Sequence, residues 1–315
     1  MIQGVKKMKK FLRNAGAVLA AGGVGIYAVY KMAFGRSKEN EELDMLQGKQ
    51  YAPYEEAVRA GMEKAGKISF QRIFIGSKDG ITLSGKYYHF KDGAPLILFF
   101  HGYHGTTLRD GNGILLYAQK AGYNALLVDQ RAHGKSGGRA ITFGIKERYD
   151  CIDWIRYANR RFGEETPILL AGISMGASTV LMAADLGLPA NVKGIIADCP
   201  YSEPKEILKA VIRQLNYPEK VTYGAVRLGG KIFGGFDVEE HSPIEAMKNC
   251  SIPVLFIHGD EDYFVPCKMS EECYEACGSA DKKRVLFKGA AHGMSYCVDQ
   301  ALYEKEIEEF FSRIL

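Results

Sequence analysis

Residues 168–186 read ILLAGISMGASTVLMAADL. An apolar run of strand length, Ile168 to Gly172, passes directly into Gly172-Ile173-Ser174-Met175-Gly176 and then into a stretch of helical pattern. A bare GxSxG is weak: fourteen Ser and 36 Gly in 315 residues predict on the order of 0.2 chance matches. The strand-turn-helix context supplies what the pattern lacks. A Ser on so sharp a turn sits in a strained backbone conformation, and its neighbours must be small where strand and helix approach, as Gly172, Gly176 and Ala177 are. The helix that follows aims its first N–H groups at the space where an oxyanion would develop in acyl transfer. The competing reading is a Ser that merely caps an ordinary strand-to-helix turn.

On both sides of this stretch, apolar β-branched runs alternate with helical patterns. Strands are predicted at Ile68 to Ile75, Ile81 to His89, Pro95 to Phe100, Ala125 to Asp129, Gly194 to Asp198, Val254 to His258 and Arg284 to Phe287. Helices are predicted at about 113–121, 145–162, 175–186, 268–277 and 301–314. Near-continuously apolar strands in such alternation are the pattern of an α/β fold, a mostly parallel central sheet with helices on both faces. The alternation breaks for about fifty residues at 200–250, too long for an ordinary connection, and this segment reads as an inserted helical cap. Within it, Ile207, Leu208, Val211, Ile212 and Leu215 recur at helical spacing, which predicts an apolar face covering the Ser174 cleft or packing on Leu228, Ile232 and Phe233.

Ligands bind at the carboxyl ends of the strands in such sheets, so partners for Ser174 are sought there. The run PLILFF ends in His101-Gly102-Tyr103-His104-Gly105, a turn able to point the Tyr103 N–H at the site; with the Met175 N–H it would make a two-donor oxyanion hole. His101 and His104 invite a metal reading, but no Glu completes a zincin pattern. The stretch 129–138, DQRAHGKSGG, is turn-rich and reads as scaffold. PVLFIH runs into Gly259-Asp260-Glu261-Asp262, and RVLFK into Gly289-Ala290-Ala291-His292-Gly293. Ser174, Asp262 and His292 thus follow in the order Ser, acid, His, each just past a strand end. Asp260, Glu261 and Asp198 are rival acids, and His258 is a poor base because it lies within its strand.

From about Ile68 to Leu315 the chain resembles the α/β-hydrolase superfamily, in particular its capped serine hydrolases of the serine aminopeptidase-like and monoacylglycerol-lipase-like group. The stretches that carry the resemblance are HGYHG (101–105), DQRAHGKSGG (129–138), GISMG (172–176), HGDEDYFVP (258–266) and AAHG (290–293). In the family pattern HGxxDxxVP the catalytic acid falls on Asp262. Ala132 stands where relatives commonly carry Gly. The resemblance implies acyl transfer through an acyl-enzyme, with Ser174 as nucleophile, His292 as base and Asp262 as its orienting acid, and it requires no cofactor and no metal. The leading function is a carboxylesterase on small or medium acyl esters. One alternative is a serine aminopeptidase acting on short peptides, with Glu203, Glu206, Glu239 or Glu240 holding a substrate ammonium. Another is a non-catalytic, membrane-tethered binding protein on a hydrolase scaffold.

With 47% hydrophobic and 25% charged residues, the chain has ordinary globular composition and enough apolar residues for a large core. Its net charge of +4 comes from Lys6, Lys7, Lys9, Lys10 and Arg13, so no clustered basic face for nucleic acid is visible in the folded part. Between Arg13 and Lys31 every residue is uncharged. Residues 1–35 therefore read as a membrane anchor with one spanning helix, 36–50 as a linker and 51–315 as the hydrolase domain; a cleaved signal peptide and a buried helix are the alternatives. The five leading cations put the amino terminus in the cytoplasm and the hydrolase domain outside it. Seven Cys, five of them after residue 249, suit buried thiols or disulfides better than zinc.

Overall fold

The computed structural model describes residues 23–37 and 49–315. Eight strands, β1 (Gln71–Gly76), β2 (Thr82–Tyr88), β3 (Leu96–Phe100), β4 (Asn124–Asp129), β5 (Ile168–Ile173), β6 (Val192–Asp198), β7 (Val254–Gly259) and β8 (Lys282–Phe287), form one sheet. Their order is β1-β2-β4-β3-β5-β6-β7-β8. β2 pairs antiparallel with β1 and β4, and every other pairing is parallel. The helices are α1 (23–34), α2 (Glu55–Gly66), α3 (Thr107–Ala121), α4 (Glu147–Phe162), α5 (Met175–Ala183), α6 (Pro204–Gln214), α7 (Glu219–Gly229), α8 (Pro243–Lys248), α9 (Lys268–Ala276), α10 (Ser295–Val298) and α11 (Gln300–Ile314). A 3-10 turn at Lys49–Tyr54 leads into α2, and a π turn at Gly230–Gly234 follows α7.

The period-2 alternation of the strands builds two cores. Leu96, Leu98 and Phe100 of β3 face α4, α5, α8 and α9, whereas Ile97 and Phe99 face α3 and α11. Because both faces are covered, the central strands have no polar side and read as unbroken apolar runs. β3 is followed in the sheet by β4 on one side and β5 by β6 on the other, which opens a crevice at their carboxyl ends. α3 starts at Thr107, six residues before the predicted helix. Its first turns hold Asp110, Gly111, Asn112 and Gly113, poor helix formers that hide the periodicity. The Thr106 side chain caps it by accepting from the Arg109 N–H at 3.0 Å.

The amino-terminal segment departs from expectation. No helix among the described residues is long and apolar enough to cross a membrane. The carboxyl half of the expected spanning helix, α1, lies on the protein: Tyr30 and Phe34 are buried, and the Phe34 ring sits 5.0 Å from Phe236 and 5.9 Å from Phe143. Residues 33–37, placed by the sequence at the anchor–linker junction, are stitched to the 132–141 loop. The Ile141 N–H donates to the Phe34 carbonyl at 2.8 Å, the Ser37 N–H to that of Ala132 at 2.9 Å, and Arg36 donates to the Ser136 and Gly134 carbonyls at 2.6 Å. Residues 1–22 and 38–48, the rest of the expected anchor and most of the linker, lie outside the described residues.

The α6 stripe also differs. Ile207, Leu208 and Ile212 are buried with Tyr30, Phe34, Phe143, Met175 and Phe236. Leu215, Leu228, Ile232 and Phe233 are exposed. The stripe shares one apolar cluster with Tyr30 and Phe34 of α1, the helix expected to enter a membrane, and with Phe143 and Ile145.

The turn between β5 and α5 is among the tightest backbone approaches of the described residues. A Cβ on Gly176 would fall on the Phe100 carbonyl of β3, and one on Gly172 would strike the Gly176 backbone. Gly176→Ala is expected to lower the unfolding free energy by about 3 kcal/mol or more in urea titration. Gly76→Ala, where a Cβ meets nothing within 4 Å, should stay within about 0.5 kcal/mol of wild type.

Candidate active site

Ser174 is held at φ 54°, ψ −118°, with its N–H donating to the Asp198 carbonyl at 2.8 Å. A β-branched or bulky residue would be strained here, and the position persists because the glycines on either side let β3, β5 and α5 close around it. Ser174 Oγ lies 2.9 Å from His292 Nε2, and His292 Nδ1 lies 2.6 Å from Asp262 Oδ2. The three residues called from sequence are thus brought together, from the turns after β5, β7 and β8. Asp260 is not: it is exposed and accepts the Gly289 N–H at 2.6 Å, and Glu261 is exposed beside it.

Asp262 is fully engaged. Its Oδ1 accepts the N–H groups of Phe264 and Val265 at 2.9 and 2.8 Å, and its Oδ2 accepts His292 Nδ1–H and His258 Nε2–H, the latter at 3.1 Å. Burial alone would raise its pKa, but the charge of His292 and the hydrogen bonds from His258 and His292 hold the carboxyl well below the usual carboxylate range. For His292 burial acts downward, and the adjacent Asp262 carboxylate overcomes it, so its pKa is raised above the ordinary imidazole value. Asp198, the other rival acid, is buried with Oδ2 accepting the Tyr303 hydroxyl at 3.0 Å. Burial pushes its carboxyl up to about 7.

His258 is the residue whose part the sequence reading missed. Its Nε2 faces two acceptors, Asp262 Oδ2 and the Val265 carbonyl at 2.9 Å, so Nε2 must carry the proton. His101 and His133 are bound to backbone through both ring nitrogens. His101 Nδ1–H donates to the Gly102 carbonyl and Nε2 accepts the Gln130 N–H; His133 Nδ1–H donates to the Arg131 carbonyl and Nε2 accepts the His104 N–H. They join the turn after β3 to the 129–138 loop and leave no lone pair for a metal. That turn abuts Ser174, since a Cβ on Gly102 would lie 3.4 Å from Ser174 Cβ. Tyr103 follows Gly102 in it, and Met175 is the first residue of α5, so both residues of the expected oxyanion hole flank Ser174.

Ligand atoms of Cys199, Asp262 and His292 lie within 4.8 Å of one another. A metal there would have to displace the Ser174–His292–Asp262 hydrogen bonds, and burial holds the Cys199 thiol protonated, well above its ordinary pKa. The residues do not fit a metal centre.

A cavity of about 260 Å³ opens at Ser174 and His292. Its walls include Tyr51 of the 3-10 turn, Val58 of α2, Phe99, Ile114 of α3, Ile196 and Tyr296 of α10. No α6 or α7 residue lines it. The cavity wall formed by α2 had one signal in the sequence, the helical spacing of Val58, Met62 and Ala65.

A doubly covered parallel sheet with Ser, acid and His presented in that order from strand ends defines a class, and sequence comparison agrees with it. The family profile described as alpha/beta hydrolase fold matches residues 95–242, and that described as Serine aminopeptidase, S33, matches residues 237–296. The chain belongs to the α/β-hydrolase superfamily and is a hydrolase. It is 27% identical over 309 residues to the uncharacterized protein YqkD of Bacillus subtilis, covering 98% of both chains. It is 28% identical over 197 residues to the Lysophosphatidylserine lipase ABHD12 of Rattus norvegicus, covering 57% of this chain and 44% of the lipase. Among solved structures it is similar to the Pyrococcus furiosus esterase Pf2001, with a TM-score of 0.67 and 21% identity over 86% of this chain and 97% of the esterase.

His258→Leu, which leaves Asp262 Oδ2 with one donor fewer, is expected to lower kcat for p-nitrophenyl acetate about tenfold. His258→Gln, able to place an N–H near the same oxygen, should recover most of it. Equal loss in both variants would mean that the ring serves packing alone.

Proposed function

We propose that the protein is a serine esterase acting through an acyl-enzyme, on acyl esters whose chain enters the cavity beside Ser174. The observation that carries this reading is the hydrogen-bonded run Ser174–His292–Asp262, with 2.9 and 2.6 Å separations, at the mouth of a mostly apolar cavity. His292 Nε2 takes the Ser174 proton as Oγ attacks the ester carbonyl. Asp262 fixes the imidazole tautomer and stabilises the imidazolium that forms. The Tyr103 and Met175 N–H groups receive the oxyanion, and His292 then returns its proton to the leaving alcohol. Water repeats the cycle on the acyl-enzyme. The lipase named among the relatives supports an acyl ester of lipid type.

The aminopeptidase alternative draws on the S33 profile over 237–296. Its ammonium site is harder to find. Glu203 pairs with Lys205, Glu206 with Lys209, Glu239 with Arg227 and Glu240 with Arg148, and none of the four lines the cavity. The Ser174–His292–Asp262 run argues equally against a retired, binding-only scaffold. We take residues 51–315 as the hydrolase domain, with 200–250 as its cap, and the basic-then-apolar residues 1–22 as a membrane attachment. The extracytoplasmic orientation rests only on the five cations that precede residues 14–30.

Ser174→Ala should abolish fluorophosphonate labelling and lower kcat by about 10⁶. Asp262→Asn should lower it by about 10⁴, and Asp260→Asn should leave it near wild type. Because His292 must be neutral to act as base and its pKa is raised, kcat/KM should fall with decreasing pH through a midpoint above the ordinary imidazole value of 6.5. In Asp262→Asn the largest upward influence is lost and burial is opposed only by the weaker pull of Asp198 and Asp110, so that midpoint should move to lower pH. The opposite movement would overturn the acid assignment.

Across p-nitrophenyl esters, a chain-length optimum is expected, since one methylene in an apolar pocket is worth roughly 1–3 kcal/mol. Ile114→Ala should move the optimum to longer chains, and Leu208→Ala, outside the cavity, should not. A flat profile with faster turnover of aminoacyl amides would favour the aminopeptidase.

A further inference from the structure

Sixteen large apolar side chains are exposed among the described residues, and ten of them lie on α1, on the α6–α7 segment with its π turn, and at Tyr263. On α7 and the π turn, Val221, Leu228 and Ile232 recur at helical spacing and are 75%, 43% and 60% exposed, with Phe233 beside them. This stripe is the outer face of the helix whose inner face carries the buried Tyr223 and Val226. α1 crosses it at Gly229, where a Cβ would strike Tyr30 and the Ile26 carbonyl. The crossing puts Tyr27, with its ring 5.0 Å from Phe233, and the exposed Val24 onto the same surface. One contiguous apolar face thus spans two elements distant in sequence, beyond the isolated exposed apolar residues that any protein surface carries.

We propose that this face seats the folded domain on an anionic lipid bilayer, with the cavity mouth at the membrane interface. Three observations favour a bilayer as occupant. First, the exposed Val24 of this face is preceded in the sequence by nine uncharged positions, 14–22, and these by five cations, Lys6, Lys7, Lys9, Lys10 and Arg13. Second, the charges of the region suit an anionic surface. Each carboxylate of the segment from Glu203 to Glu240 is neutralised in an ion pair, whereas Lys31 and Lys220 are exposed with no ion-pair partner among the described residues. Third, the face borders the reaction site. Tyr103 and Phe264 line the cavity. The Tyr103 hydroxyl lies 3.0 Å from the Ala33 carbonyl, beside exposed Met32, and Phe264 adjoins exposed Tyr263, whose carbonyl accepts from Gln214 of α6 at 2.8 Å. An ester lying in the outer layer of a bilayer would have a short path to Ser174. The proposal extends the membrane reading from residues 1–22 to the folded body and is separate from the chemistry assigned to Ser174.

The test is co-sedimentation of the full chain with vesicles of phosphatidylcholine alone and of phosphatidylcholine with 30% phosphatidylserine. It compares wild type with the triple variant Val221→Asp, Leu228→Asp, Ile232→Asp and with Lys31→Glu, Lys220→Glu. Turnover of a water-soluble aryl ester reports that each variant is folded and is expected to be unchanged. The apolar variant should lose about tenfold or more of its partition to both vesicle types. The charge variant should lose only the preference for phosphatidylserine. Wild-type partition retained by the apolar variant would show that residues 1–22 bind alone and would overturn the proposal while leaving the membrane reading in place. A wild type that ignores vesicles but runs as a dimer, with the apolar variant monomeric, would assign the face to a second copy and overturn both. Either result leaves soluble-ester turnover, and so the hydrolase reading, untouched.

Discussion

The rest of the site depends on how closely three backbone segments approach one another behind Ser174. Gly172 and Gly176 let β5, the start of α5 and the end of β3 come within a distance that leaves no room for a single Cβ at either position. That approach forces Ser174 into positive φ and lifts its Oγ clear of the sheet toward His292. It also ties Ser174 to its neighbours in a fixed order: its N–H bonds to the last residue of β6, and the turn after β3 is pressed against its Cβ. The strain at one residue is offset by the parallel ladders that meet there, which is why such a conformation is found at a strand end under a helix and not in an open loop.

A second constraint is the placing of one negative charge in a dry site. Asp198 and Asp262 both lie close to His292, and burial acts against ionisation of each. What separates them is hydrogen-bond supply. Asp262 collects four donors, two from the backbone of its own turn and two from histidines, so its charge is solvated by the protein. Asp198 has the Tyr303 hydroxyl on one oxygen and no hydrogen-bond partner on the other among the described residues. Its carboxyl therefore holds its proton up to about pH 7, and the acid beside the imidazole is Asp262. The turn that delivers those donors is HGDEDYFVP, where His258, Asp262, Phe264 and Val265 each take part. Its apparent surplus of acids resolves once only Asp262 is seen to point inward.

Much of this was legible in the sequence, because strand-end motifs place their side chains through local geometry. GISMG, the Asp262 turn and AAHG each specify a tight backbone path, and the order of their strands followed from apolar runs that a doubly covered sheet requires. The role of His258 was hidden because a histidine inside a strand says nothing about which neighbour its ring will meet; its bonding to Asp262 is set by the return of the chain four residues later. The start of α3 was hidden for the opposite reason. Its local sequence opposes helix, and only a side-chain cap and contacts with Phe99, Leu127 and Tyr296, made possible by Gly111 and Gly113, hold it in place.

The amino-terminal segment shows where hydropathy ceases to discriminate. The residues from 23 to 34 are apolar enough to be read as half of a spanning helix, yet a helix packed into a cap must be apolar for the same reason, to remove its surface from water. The packing partners of residues 23–34 show the second role. The Phe34 ring meets Phe236 and Phe143 and the Tyr30 ring meets Phe34 and Phe233, both side chains buried, while Val24 and Tyr27 stay exposed, so this helix is two-faced. Its inner face joins the apolar cluster that also holds Ile207, Leu208 and Ile212 of α6. The cavity beside Ser174 is lined instead by residues of α2, α3 and α10, elements that carry none of Ser174, Asp262 and His292. The walls of the cavity thus come from elements other than the turns that carry Ser174, Asp262 and His292, so the shape of the cavity can change without moving those three residues.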